Sequence, residues 1–177
     1  MVTKGGDAMG PICLVGPGSG ALARRLFQAL AARPAGYSLV RFNLDGREKG
    51  LLLRLLATPA GEPVNDVPCV VRVGDADVVV HEAFDRVAAP ALRRALAVHG
   101  PLLLEGLTAA QLMPGPFREA VAACMARRGC TVLCLAADAE GILRGMPGGE
   151  RAMYCAVTPE NEAALLEELQ GACYLGR

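Results

Sequence analysis

Residues 11–33, PICLVGPGSGALARRLFQALAAR, constrain this chain more than any other stretch. A short apolar run from Ile12 to Val15 meets a glycine-rich turn, Gly16-Pro17-Gly18-Ser19-Gly20. A helical pattern follows, with apolar Leu22, Leu26, Phe27 and Leu30. A strand that passes through a tight glycine turn into a helix aims its backbone N–H groups inward. The turn is then an anion nest, and the helix N-terminus adds partial positive charge. The candidate phosphate-binding residues are Gly16, Pro17, Gly18, Ser19, Gly20, Ala21, Leu22 and Ala23. A complete phosphate loop reads GxxxxGK[ST], with Lys on the β/γ-phosphates and the hydroxyl on Mg²⁺. Counted from Gly16, Ala21 stands at the last Gly, Leu22 at the Lys and Ala23 at the Ser/Thr. The frame is present and the reactive side chains are absent.

The rest of the chain alternates between strand-like and helical patterns. The helix after the turn covers 20–33, and Pro34 and Gly36 end it. Residues 37–43 and 50–57 read as a β-hairpin, with Asp45-Gly46 as its turn signal. A Pro- and Gly-rich loop and the strand CVVRV follow. The stretch 77–98 starts β-like and becomes helical, and Pro90 inside it predicts a kink or two abutting helices. PLLLEG at 101–106 is a buried strand ending in a carboxylate, Glu105. A helix over 114–128 puts Phe117, Val121, Cys124 and Met125 inward, and TVLCLA at 131–136 is the next buried strand. Residues 137–150 read as a surface loop with one helical turn at 140–144. MYCAVT is the last strand, and Thr158 with Pro159 starts a helix running to about Gln170. Apolar strands alternating with amphipathic helices predict an α/β domain, three layers deep, with a largely parallel central sheet and a β-hairpin addition. Residues 1–10 read as a flexible leader and 11–177 as one domain.

Composition excludes several classes. Lys+Arg and Asp+Glu balance at 18 each, so no basic field points to nucleic acid. No apolar run is long enough to span a membrane, and the N-terminus lacks a signal-peptide core. Seven Cys without a secretory signal predict reduced thiols and a cytoplasmic location. There is no CxxC pair, and His81 and His99 are not at ligand spacing, so no metal site is read from the sequence. Cys130 and Cys134 fall on one side of a strand, where packing is favoured over redox work.

Several segments in this order resemble the P-loop nucleoside-triphosphatase family of the cancer-related nucleoside-triphosphatase type, which has bacterial and archaeal members. They are the strand–Gly-loop–helix at 12–33, Gly36-Tyr37, DRVAAPALRRAL at 85–96, the strand 102–105, PFREAV at 116–121 and the C-terminal VTPENEAALLEEL. The resemblance implies a P-loop fold, hydrolysis of ATP or GTP with Mg²⁺, and an Asp-Glu pair after the second core strand. Of that pair one carboxylate is left. Glu105 falls either at the Asp position, with Gly106 at the Glu, or at the Glu position, with Leu104 at the Asp. The family's later Glu-Leu pair corresponds to Gln111-Leu112.

These observations predict a divergent member of that family that is catalytically impaired and retains at most weak nucleotide or anion binding. Glu105 is the one candidate catalytic residue, with a strand-end carboxylate hydrogen-bonded to the loop as its structural alternative. Two other functions stay open. One is an active hydrolase with a rebuilt site, in which Glu105 holds Mg²⁺ and Arg24 or Arg25 replaces the Lys. The other is a non-catalytic module that binds a protein partner or itself. The cluster Asp75, Asp77, His81 and Glu82 reads as helix capping by Asp77. Asp138 and Glu140 read as loop residues at the edge of a cleft.

Overall fold

The computed structural model describes residues 10–57 and 66–175. The expected leader up to Met9 and the loop 58–65 lie outside them. Strands β1 (Ile12–Val15), β2 (Ala35–Leu44), β3 (Arg47–Leu56), β4 (Val67–Val73), β5 (Ala76–Val79), β6 (Leu102–Leu107), β7 (Thr131–Leu135) and β8 (Met153–Ala156) form one sheet. Their order is β5-β4-β3-β2-β6-β7-β1-β8.

This sheet corrects the expected architecture. The α/β class holds, but the sheet is mixed and curls into a half-barrel, in place of a largely parallel three-layer P-loop sheet. Neighbours from β2 through β6, β7 and β1 to β8 run parallel. Neighbours from β2 through β3 and β4 to β5 run antiparallel. The cause is local turn chemistry. Antiparallel neighbours need only a two-residue turn, whereas parallel ones need a crossover. Asp45 and Gly46 both take positive φ, 52° and 73°, the signature of the hairpin turn between β2 and β3. Gly74-Asp75 makes a second hairpin between β4 and β5. The β-like start expected at residue 77 is its second strand, β5, while its turn falls in the polar cluster that begins at Asp75. Asp77 is accordingly not a helix cap. It lies in β5 opposite Arg72, whose Nε and Nη2 reach its carboxylate at 2.8 and 3.0 Å.

Helices cover both faces of the parallel half. Helix α1 (Ser19–Ala29) and helix α6 (Glu162–Leu175) pack together on one face, over Ile12, Leu14, Val132 and Cys134. On the other face lie α2 (His81–Ala83), α3 (Ala89–Leu96) and α4 (Pro116–Ala126). Strand alternation divides β1 between the two cores, with Cys13 facing the second. That second core is centred on Tyr37, Phe84 and Phe117, whose ring centroids lie 4.9 to 6.3 Å apart. In a chain with four Phe and no Trp, this trio is the main aromatic packing.

Two helix expectations change and one holds. The junction expected at Pro90 is present, as a π turn at Phe84–Ala88 through which α2 and α3 abut just before it. Arg86, whose carbonyl the proline ring would strike in a regular helix, lies within that wider turn. The stretch after β7 is a true helix, α5 (Ala137–Arg144), because Ala139 and Leu143 find the core. Helix α6 starts four residues after Thr158, at Glu162. The Asn161 side chain accepts the Thr158 N–H at 2.9 Å and donates to the Ala156 carbonyl at 2.8 Å, which holds the entry open.

Candidate functional site

The carboxyl ends of β1, β6 and β7 meet in a cleft of about 920 Å³, the usual ligand position in open α/β sheets. The curl of the sheet builds its far wall. Ser38 and Arg41 of β2, Arg54 of β3 and Asp77 of β5 line it opposite the glycine loop. Sequence reading missed this wall. Its only signal was the hairpin turn, which says nothing about how far the antiparallel strands curl.

The loop itself is short. Only Gly16, Pro17 and Gly18 separate β1 from α1. The Gly16 N–H donates to the Leu135 carbonyl at 3.1 Å, and the Ser19 N–H donates to the Gly16 carbonyl at 3.1 Å. No side chain caps α1, and the first turn of a helix lacks internal partners for its N–H groups. Gly16, Pro17, Ser19, Gly20 and Ala21 line the cleft. Gly18 sits against Val157. Leu22 and Ala23 are fully buried on the inner face of α1, among Ile12, Leu14 and Leu26. The positions that would carry Lys and Ser/Thr therefore supply core packing here.

Glu105 does reach the loop. The β6–β7 register slips between Leu104 and Leu107, and Gly106 takes φ 77° at the slip. A side chain at Gly106 would also strike Leu39. The slip brings the Glu105 carboxylate against Gly20, where an added Cβ would collide with Oε1. Arg24 Nη1 lies 2.5 Å from that oxygen. Among the described residues, neither the buried Oε2 nor the Thr108 hydroxyl, which also lines the cleft, has a hydrogen-bond partner. Beneath the loop, the Cys134 thiol donates to the Ser19 carbonyl at 3.4 Å. Burial foremost, and then the Glu105 charge, push that thiol far up, so it stays protonated.

The other candidates fall into place around this pair. Arg25 turns away to Glu162 of α6 at 2.5 Å and does not line the cleft. Gln111 is buried, and its Oε1 accepts the Thr108 N–H at 3.3 Å. Asp138 lines the cleft and accepts the Ala109 N–H at 3.3 Å, whereas Glu140 pairs with Arg144. These two bonds fix the segment after β6 as one wall. His81 and Glu82 lie outside the cleft.

Magnesium with a triphosphate needs several oxygen ligands and a cation on the phosphates. Glu105 offers one carboxylate, half of it engaged by Arg24, and Leu22 and Ala23 offer no donor. Among the described residues, no group of three His, Cys, Asp or Glu is placed to hold a metal. The residues present do not fit a Mg²⁺–triphosphate centre. Among the described residues, no helix is long and apolar enough to cross a membrane. No family model, curated protein or solved structure matches this chain.

Proposed function

We propose that this chain is a divergent relative of the nucleoside-triphosphatases it resembles, and that its cleft binds a small anion or nucleotide weakly without hydrolysing it. The observation that carries this reading is the Arg24–Glu105 pair at the head of α1. Arg24 lines the cleft together with the glycine loop, and its charge is balanced by the Glu105 carboxylate. Backbone N–H groups in the first turn of α1 and the dipole of that helix supply the attraction that is left. The seven cysteines, read as thiols, favour a cytoplasmic setting.

Calorimetric titration with ATP and GTP, with and without Mg²⁺, together with a phosphate-release assay, tests the proposal. Each missing charge-assisted contact costs roughly 1.5–3 kcal/mol. Two of them weaken binding by about a hundredfold to ten-thousandfold. The expected result is binding no tighter than roughly the millimolar range, independent of Mg²⁺, and no phosphate release. Micromolar Mg²⁺-dependent binding with turnover overturns it. Loss of that turnover in Glu105→Gln would establish the rebuilt hydrolase instead.

A further inference from the structure

Cys130 and Cys173 approach each other from two different elements. Their sulfurs are 3.9 Å apart although the residues are 43 positions apart in sequence. Cys130 immediately precedes β7, and its carbonyl accepts the Leu102 N–H at 3.0 Å, so its backbone is held in the sheet. Cys173 lies near the end of α6, one turn beyond Leu169, and both face the core that α6 shares with α1. We propose that these two thiols form a redox pair that closes to a disulfide and staples α6 to the sheet.

The geometry is close to what the bond requires. A disulfide has its sulfurs about 2.05 Å apart, so from 3.9 Å about 2 Å must be closed. The chemistry is also selective. Cys130 is partly exposed, so an oxidant reaches it, while Cys173 is buried. Burial pushes the thiols of Cys13 and Cys124 up to about 12 and that of Cys69 to about 11, which keeps them unreactive. The oxidant is hydrogen peroxide. The Cys130 sulfur attacks one of its oxygens, the O–O bond breaks, and Cys130 becomes a sulfenic acid as one water leaves. The Cys173 sulfur then attacks the Cys130 sulfur, the S–O bond breaks, and a second water carries off the hydroxyl and the remaining thiol proton. Two thiols lose two electrons and the peroxide gains them. The link ties down the helix that backs the glycine loop, since α6 packs on α1 and Glu162 pairs with Arg25. Both sulfurs return to thiols on reduction.

The test treats the full chain with a small excess of hydrogen peroxide, blocks remaining thiols, and maps peptides without reductant. A Cys130–Cys173 linked peptide is expected. Closing a loop of this length predicts a rise in melting temperature of about 10 °C. Dithiothreitol should reverse both. Cys130→Ser and Cys173→Ser should each lose the linked peptide and the rise, while Cys155→Ser keeps them. Three outcomes overturn the proposal: a link between other cysteines, oxidation of Cys130 to the sulfinic acid without a link, or a link that leaves the melting temperature unchanged. The peptide map of the unmodified chain decides the pairing even if a serine variant fails to fold.

Discussion

In the parallel half of the sheet, β7 buries all of its residues and β6 buries Leu102, Leu103 and Leu104. In the antiparallel arm, β5 leaves Ala76, Asp77 and Val78 exposed, and β4 buries only Cys69 and Val70. Both halves are rich in Val and Leu. The difference lies in what covers them. Helices close both faces of the inner parallel strands β6, β7 and β1, whereas the arm is covered on part of one face and otherwise meets solvent or the cleft. The parallel half therefore sets the positions of the glycine loop and Glu105, and the arm supplies a wall that can vary without unfolding the rest.

The largest effect that would test this division is a pair of truncations. Leu133→Ala in β7 removes a side chain that is fully buried in the core around Tyr37, Phe84 and Phe117, and should cost about 2–5 kcal/mol in urea unfolding. Val78→Ala in β5, where the side chain is 49% exposed, should cost less than about 0.5 kcal/mol. Comparable losses in the two variants would mean that the arm is as much a part of the core as β7.

A smaller effect isolates the arm's own construction. Gly46 sits in open space at φ 73°, so a side chain there meets no neighbour and the penalty is conformational. Gly46→Val should cost about 1–2 kcal/mol. Hydrogen exchange should speed up along β2 beyond Tyr37 and along β3, and stay unchanged in β7. Faster exchange in β7 as well would show the two halves unfolding as one unit.

What could be read from the sequence follows the same division. The continuous apolar runs ICLV, LLL and TVLCL announced buried parallel strands, and Phe117, Val121, Cys124 and Met125 marked the inner face of α4 correctly. Each of those signals is a local period that burial on both sides enforces. The arm gave one clear signal, Asp45-Gly46, and hid the other, because Gly74-Asp75 and Asp77 look equally suited to a helix start. The site was half legible. Glu105 could be placed at a strand end, but its pairing with Arg24 depends on a register slip at Gly106 that no periodicity reveals. Cys130 looked like a packing residue because its neighbour Cys134 is one, and its approach to Cys173 depends on how α6 lies across the sheet.

The smallest effect concerns the charges that hold the arm together. Arg54 of β3 forks onto Asp66 just before β4, with Nε 2.9 Å from Oδ1 and Nη2 2.5 Å from Oδ2. Arg72 of β4 does the same to Asp77 of β5. In both cases the hydrogen bond from the guanidinium holds the carboxyl below the ordinary 3.8. A folded value below the unfolded one means that the unfolded chain takes up protons first as pH falls. The contribution of each pair is therefore complete above the unfolded value and is lost as pH drops through the folded value. The pairs are exposed, so their effect on global stability is slight and is screened by salt. Carboxyl-carbon NMR should show Asp66 and Asp77 both titrating below 3.8. Amide shifts in β3, β4 and β5 should follow that titration, with β7 silent. Titration of either carboxyl at or above 3.8 would mean that its fork is open in solution. The arm would then be joined by its ladder hydrogen bonds and turns alone, a looser wall for the cleft than the one described.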